Sequence, residues 1–387
     1  MYRILYAGFD TLDVSFKGAL DEKQLSMLRD AQQTAKVTKQ DQAVEIGPGP
    51  FCGMLKGHGM SGGYAFVLTN GQTGAIYSIK DDSNTREWNI GVSVRALHLL
   101  TYGYEATKQW IVETLEAMGC RLLDHSVRRL DYAIDIYAPD FQLELSNFVT
   151  PGRSKLRPHW SKEQDLDDDG NRPSGVFSGR AFETITIGKM PNRQVTIYDK
   201  RRAVIDMGQP YWFDAWGIDP NETNLGIYRV EVRAGRDALA KGLIKRTFSA
   251  VEAYMQGFVS KALSDIRYVT DKDSQLNVSR TTLHPLWQLA QEGSAQMGFD
   301  TTPVLHESRA LEIIREQRRE SSIKQGFGCL MNTAILDGNS PETLGETLEG
   351  LTNEYAEQYL RSMGELNVHK KAAEIKARLA PLLCSYK

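Results

Sequence analysis

The chain has 387 residues, of which 41% are hydrophobic and 25% are charged, as in an ordinary soluble globular protein with room for two domains. The net charge of −3 argues against a uniformly basic nucleic-acid-binding protein, and the four scattered cysteines fit neither a zinc site nor a disulfide framework. No apolar stretch approaches the roughly 20 residues of a membrane helix, and the N-terminus has no signal-peptide core. A cytoplasmic protein without a membrane partner is expected.

The first part of the chain is predicted to form strands and two helices. Alternating apolar and polar residues predict strands at 12–16, 64–68, 75–79 and 88–94. Polar residues predict a helix at 22–36, and helical spacing predicts another at 104–118, followed by Gly119 as a C-terminal cap.

A glycine-rich stretch at 47–63 contains a match to the dinucleotide-binding fingerprint at 57–62. That fingerprint must follow a strand and open a helix, whereas this one precedes a predicted strand. Nucleotide binding is therefore not expected.

The middle of the chain combines strands with one long irregular stretch. Strands are predicted at 129–135 and 229–233, and a hairpin at 184–188 and 193–200. The stretch at 151–179 is long enough to be a functional loop or a disordered segment. Its acidic part begins like a calcium-binding loop, but Val176 stands where a bidentate glutamate is required, so a mobile acidic loop is the better interpretation.

From residue 237 the apolar spacing becomes helical, and amphipathic helices are predicted at 305–325, 341–363 and 368–383. The sequence thus predicts an α+β fold with an antiparallel or mixed sheet and helices on one face. This catalytic domain would span residues 1–270, and an all-helical C-terminal domain would span 271–387.

Three of the predicted strands have a strongly polar face. Because side chains alternate along a strand, each segment separates polar from apolar residues. The residues that share the polar faces are Arg129, Asp131 and Asp135; Thr196, Tyr198 and Lys200; and Arg229, Glu231 and Arg233. If the strands pair with their apolar sides buried together, carboxylates, a phenol and several cations converge on the other side. These groups suit metal-assisted attack of a tyrosine on a phosphodiester.

These same segments resemble the trans-acting replication initiation factors, the rolling-circle initiators of plasmids and filamentous phages together with some relaxases. The matching stretches are 8–16, 129–135, 186–188 leading into 195–200, and 228–233, within a likeness that spans about residues 8 to 245. Members of this family nick one DNA strand at an origin, remain attached through a 5′-phosphotyrosine and leave a free 3′-hydroxyl. The helical end of the chain has no counterpart in this resemblance.

Carried over to this sequence, the resemblance implies that Tyr198 is the nucleophile and that Asp131 and Glu231 are metal ligands. Asp135 is the alternate ligand, since it lies about 13 Å from Asp131 along a straight strand, too far for both to bind one ion. Oxygen ligands of this kind suit Mg²⁺ or Mn²⁺. Lys200 is positioned to activate the phenol or neutralise charge on the phosphate.

The expected DNA contacts are arginines, because a guanidinium can clamp a phosphate with two hydrogen bonds. Six arginines are candidates, drawn from the polar strands and from the basic clusters at 189–202 and 229–246: Arg129, Arg193, Arg201, Arg202, Arg229 and Arg233. Origin duplex and single-stranded DNA are the expected partners. The resemblance also implies a homodimer and recruitment of a host helicase, although no residue shows either.

Several alternatives remain open. A conjugative relaxase would use the same chemistry, and a non-catalytic DNA-binding regulator could keep the fold. Acids and arginines on neighbouring strands also form simple cross-strand ion pairs on solvated sheets. The aromatic segment at 211–216 either stacks on unpaired bases or forms a satellite core. A tyrosine recombinase is disfavoured, because its tyrosine belongs to a largely helical catalytic domain.

Overall fold

The computed structural model describes residues 1–47, 51–71, 73–151, 156–158, 184–222, 225–270, 281–300 and 302–383. The chain divides into two compact units, Met1–Glu307 and Ser308–Lys387. The irregular stretch predicted at 151–179, with its acidic loop, lies almost entirely outside the described residues.

The first unit contains the strands and most of the helices. Its strands are β1 (Arg3–Ala19), β2 (Gln42–Glu45), β3 (Cys52–Leu55), β4 (Phe66–Thr69), β5 (Ala75–Ile79), β6 (Trp88–Arg95), β7 (Arg121–Tyr137), β8 (Phe148–Val149), β9 (Leu156–Pro158), β10 (Thr184–Gly188), β11 (Arg193–Asp199), β12 (Ile227–Gly235) and β13 (Arg267–Tyr268). Its helices are α1 (Glu22–Thr38), α2 (Ala96–Tyr102), α3 (Tyr104–Ala117), a 3₁₀ turn (Leu145–Asn147), α4 (Lys200–Asp206), α5 (Tyr211–Trp216), α6 (Arg236–Gly242), α7 (Phe248–Asp265) and α8 (Pro285–Ala295).

Eleven strands form one sheet in the order β2-β3-β4-β5-β6-β1-β7-β12-β11-β10-β9, and β13 pairs separately with β8. Every strand pair in the large sheet is antiparallel. The predicted α+β class with an antiparallel sheet is therefore confirmed. The long β1 and β7 form the centre of this sheet and pair along almost their whole length.

The apolar face of the sheet is the main core, and helices cover it. Leu12, Leu130 and Val232 from the three neighbouring central strands are fully buried there. The helix α8 packs on both β1 and β7, and its Trp287 is completely buried. This packing places α8 in the first unit, whereas the sequence-based boundary after residue 270 would assign it to the helical domain.

One predicted element differs at the hairpin strand that carries Tyr198. The alternation of the sequence extends this strand through Lys200, but β11 ends at Asp199 and α4 begins at Lys200. The Asp199 side chain accepts a hydrogen bond from the Arg202 backbone N–H at 2.9 Å, which caps the new helix. Lys200 is therefore the first residue of a helix and not a strand neighbour of Tyr198.

The second unit consists of the helical end of the chain, as the spacing predicts. Most of α9 (Glu307–Leu336), α10 (Leu344–Met363) and α11 (Glu365–Leu383) belong to it. The Tyr355 hydroxyl of α10 donates to Asp337, just after α9, at 2.6 Å. Among the described residues, no helix combines the length and apolarity needed to cross a membrane.

Candidate active site

The polar strands recognised in the sequence are neighbours in the sheet, in the order β7-β12-β11. Two cross-strand rows bring their side chains together. In one row Asp135 lies opposite Arg229, which in turn lies opposite Tyr198. In a second row Asp131 lies opposite Arg233, and Glu231 lies between the two rows on β12. The convergence expected from strand parity is therefore present on one face of the sheet.

A fully buried ion-pair network occupies the first row. Arg229 Nε and Nη2 donate to the two oxygens of Asp135 at 2.6 and 2.8 Å. Arg229 Nη1 donates to Asp10, and Trp216 Nε1 donates to Asp135 Oδ2 at 2.9 Å. The Arg229 guanidinium also lies 4.2 Å from the ring centroid of Trp212. Both Asp135 oxygens are thus occupied by hydrogen-bond donors, and Arg229 has no exposed surface.

This network changes the interpretation of two candidates. As a phosphate clamp, Arg229 would have to leave two carboxylates and reach the surface. As a metal ligand, Asp135 would have to break at least part of its two-pronged ion pair with a guanidinium that has no exposed surface. Breaking a buried pair of this kind is costly. In this structure both residues hold β7, β12 and α5 together behind Tyr198.

Asp10 is a member of the network that sequence reasoning missed. The pairing of β1 with β7 shifts register between Phe9 and Thr11, so Asp10 lies at a β-bulge. A bulge adds one residue to a strand and redirects a side chain. Asp10 is buried and reaches Arg229 from there. The available signal in the sequence was Asp10 itself, an acidic residue within the largely apolar first half of β1.

A second buried cluster contains the two carboxylates expected to bind metal. Arg129 donates to Asp131 Oδ2 from Nε at 2.8 Å, and Arg233 Nε donates to Glu231 Oε1 at 2.9 Å. Arg233 Nε also lies 4.0 Å from Asp131 Oδ2, so this arginine sits between the two acids. Asp131 and Glu231 have no exposed surface.

The electrostatics of Asp131 are unusual because its second oxygen is not satisfied. Oδ1 is buried and has no hydrogen-bond partner. Burial, reinforced by the nearby charge of Glu231, raises the pKa of Asp131 to about 6 despite the opposing effect of Arg129 and Arg233. A positive charge near Oδ1 would relieve both the desolvation and the repulsion.

Tyr198 lies against this cluster. Its hydroxyl donates to Glu231 Oε2 at 3.4 Å, and its side chain is half-buried rather than turned into the core. Lys200 is nearly buried, with Nζ 5.9 Å from the Tyr198 ring centroid and 4.5 Å from that of Trp212. The proximity of Lys200 to Tyr198 thus comes from the first turn of α4, with the ammonium near the ring faces.

The residues provide only part of a metal site. Among the described residues, no group of three or more His, Cys, Asp or Glu side chains is arranged to hold a metal ion. Asp131 and Glu231 contribute carboxylate oxygens, one of them without a partner. Mg²⁺ is commonly held by one or two carboxylates, with waters and substrate phosphates as the other ligands. The donor set therefore fits a hard divalent cation completed from outside the protein.

The remaining arginine candidates have partners outside this cluster. Arg193 is paired with Asp265 at 2.7 Å, Arg201 donates to the Glu222 carbonyl at 2.9 Å, and Arg202 lies 3.5 Å from Asp206. Arg201 and Arg202 belong to the first turn of α4, next to Lys200. They form a partly exposed basic edge beside the strand that carries Tyr198.

The aromatic segment at 211–216 is core rather than an exposed stacking surface. It forms α5, and Tyr211, Trp212, Phe213 and Trp216 are all buried. This helix lies against the polar face at Asp135 and Arg229, so one part of that face is also covered.

Comparison with known proteins does not assign this chain to a family. No family model and no curated protein matches the chain. One similar solved structure is described as a rolling circle replication initiator protein from Geobacillus stearothermophilus. It is 12% identical, with a TM-score of 0.37, over 77% of this chain and 98% of that one. A likeness this distant establishes neither a shared fold nor a shared activity.

Proposed function

We propose that this protein is a rolling-circle DNA replication initiator that nicks one strand with Tyr198 as nucleophile. The observation that supports it best is the hydrogen bond of the Tyr198 hydroxyl to Glu231, beside the unsatisfied carboxylate of Asp131. The resemblance of the same three strands to the trans-acting replication initiation factors points in the same direction.

In the proposed step, the Tyr198 oxygen forms a bond to the scissile phosphorus and the bond to the 3′-oxygen breaks. The products are a 5′-phosphotyrosine and a strand whose 3′-oxygen takes a proton from solvent water and becomes a free 3′-hydroxyl. A phenol with an ordinary pKa of about 10 is only about one part in a thousand ionised at pH 7, so the reaction needs activation. Glu231 Oε2 lies 3.4 Å from the Tyr198 hydroxyl oxygen, and it is the group that would take up the phenolic proton once the two atoms close to hydrogen-bond distance.

Asp131 and Glu231 are the residues that would hold Mg²⁺ or Mn²⁺. When bound, such an ion polarises the scissile phosphate and stabilises charge on the leaving oxygen. Arg129 and Arg233 hold the two carboxylates in place, and Lys200 adds a positive charge beside the Tyr198 ring. Arg229 contributes indirectly, because its ion pairs fix the position of β12, the strand next to the one that carries Tyr198.

The proposed partners are origin duplex and single-stranded DNA, with Arg193, Arg201 and Arg202 as peripheral phosphate contacts. A homodimer and a host helicase rest on the family resemblance alone, and a cytoplasmic location is proposed with them. A conjugative relaxase would carry out the same reaction on a different element.

The test is formation of a covalent adduct. The protein is incubated with Mn²⁺ or Mg²⁺ and a supercoiled plasmid that carries the origin of the encoding element, then denatured. An adduct that survives denaturation and is absent from Tyr198→Phe supports the proposal. DNA binding without an adduct would instead support the non-catalytic regulator.

A further inference from the structure

A second cationic site lies on the polar face of the sheet, away from Tyr198, around Gly91 of β6. Gly91 pairs with Ser15 of β1 and Ser78 of β5. A Cβ added to Gly91 would lie 2.4 Å from Ser78 Oγ, 3.2 Å from Arg128 Nη2 and 3.6 Å from the Tyr64 hydroxyl. The guanidinium of Arg128 therefore extends from β7 across β1 and lies over the bare backbone of Gly91.

Arg128 reaches this position because of a β-bulge. Strand parity from Leu130 and Tyr132 would turn residue 128 toward the apolar core. The pairing of β1 with β7 shifts register between Asp13 and Val14, opposite Arg129 and Val127, so Arg128 is the additional residue. The bulge turns its side chain onto the polar face instead.

The chemistry of Arg128 differs from that of the other arginines on this face. Arg129, Arg229 and Arg233 are all paired with carboxylates. Within the described part of the chain, Arg128 has no ion pair, and its Nε is buried without a hydrogen-bond partner. A buried donor that lacks an acceptor destabilises the folded protein, and more so when the group is charged. An anion that contacts the same guanidinium through Nη2, beside Gly91, would offset part of this cost.

The surroundings favour a phosphodiester as that anion. Lys80 of β5 is half-buried, with Nζ 5.8 Å from the Tyr64 ring centroid, so a second cation lies beside the phenol. Ser78 Oγ is held by the Gly91 carbonyl at 3.3 Å. A guanidinium fork with a hydroxyl and an ammonium nearby matches the several oxygens of a phosphate.

The glycine-rich stretch contributes to this arrangement. Gly62 and Gly63 both have positive φ, 86° and 81°, in the turn that leads directly to Tyr64. Met60 and Tyr64 form a β-bridge that closes this turn. The stretch that resembles a dinucleotide fingerprint is therefore a tight turn that presents the Tyr64 phenol over the sheet.

The geometry points to a phosphate-binding subsite for single-stranded DNA formed by Arg128, Lys80 and Tyr64, and this inference rests on the proposed function. Gly91 and Tyr198 are separated by four strand spacings of about 4.8 Å and nine residues of about 3.3 Å, roughly 35 Å in all. The subsite thus holds the strand several nucleotides from the nick. The subsite contributes to DNA-binding affinity and takes no part in strand cleavage.

The experiment measures binding of a labelled single-stranded origin oligonucleotide across a range of salt concentrations, in a Tyr198→Phe background that forms no adduct. Arg128→Gln should weaken binding by roughly tenfold, the effect of one lost hydrogen-bonded phosphate contact, and lower the slope of log affinity against log salt by about 0.7. Arg128→Lys should restore the slope but not the full affinity, because the fork is lost. The matched control is Arg121→Gln, at the exposed beginning of the same strand.

The folded state provides an independent readout. Since Arg128 Nε is buried without a partner, Arg128→Gln should leave the thermal midpoint unchanged or raise it. Unchanged affinity and salt slope in Arg128→Gln, or an equal loss in Arg121→Gln, would overturn the subsite while the proposed function stands. Failure of the parent protein to bind any DNA would overturn both.

Discussion

Arg229 and Asp135 lie directly opposite each other on β12 and β7 and form a two-pronged ion pair with no exposed surface. The pair joins the strand next to Tyr198 to the centre of the sheet. Removing Arg229 leaves the buried carboxylates of Asp135 and Asp10 without their cation, which costs much more than the ion pairs contribute as a whole.

Arg229→Ala should therefore lower the free energy of unfolding by about 3–5 kcal/mol, measured by urea denaturation. Glu357→Ala is a suitable control, since it breaks the exposed pair of Glu357 with Arg361 and should cost no more than about 0.5 kcal/mol. Equal costs for the two variants would show that the buried network does not stabilise the fold.

The two carboxylates near Tyr198 should be needed for nicking but not for binding. Glu231→Gln and Asp131→Asn should each lower the rate of adduct formation by about 10²-fold or more, because they remove a proton acceptor or a metal ligand. Affinity for origin DNA, measured by fluorescence anisotropy, should change little, and chelation of divalent ions should reproduce the loss of rate. Glu116→Gln on the exposed face of α3 is the control. A parallel loss of binding and nicking would remove these residues from the chemistry.

His98 predicts a decline in stability at acidic pH. It is buried, its Nδ1 bonds the Thr73 carbonyl, and Nε2 has no partner, so burial lowers its pKa from 6.5 to about 4. Between pH 6.5 and about 4, the His98 side chain is mostly protonated in the unfolded chain but stays neutral in the folded protein. The stabilising contribution is complete above pH 6.5 and is lost as pH falls toward about 4.

The measurement is the free energy of unfolding at pH 7 and pH 5 for the wild type and for His98→Gln. The wild type should lose more stability between these two values than the variant, which has no titrating group at this position. Identical pH dependence would contradict a depressed pKa at His98.

Strand alternation in the sequence was sufficient to predict the polar face and its three strands, because side-chain parity is a local property. It could not supply register, which depends on pairing between distant segments. Register explains why Asp135 meets Arg229 and why Asp131 lies opposite Arg233. The pair of Arg129 with Asp131 is local to β7 and needs no register.

The residues that were misplaced or missed in the prediction from sequence have identifiable physical causes. Two β-bulges place Asp10 and Arg128 where simple alternation does not, and a bulge leaves no clear mark in a single sequence. Lys200 could have been assigned correctly, since Asp199 is a typical helix N-cap and stands immediately before it.

The central claim concerns one oxygen atom, the Tyr198 hydroxyl held by Glu231. Its most direct test is mass-spectrometric mapping of the covalent adduct after digestion of both protein and DNA. The account predicts a nucleotide 5′-phosphate attached to the peptide that contains Tyr198. Attachment to a different tyrosine, or to no residue under conditions that cleave the origin, would contradict it.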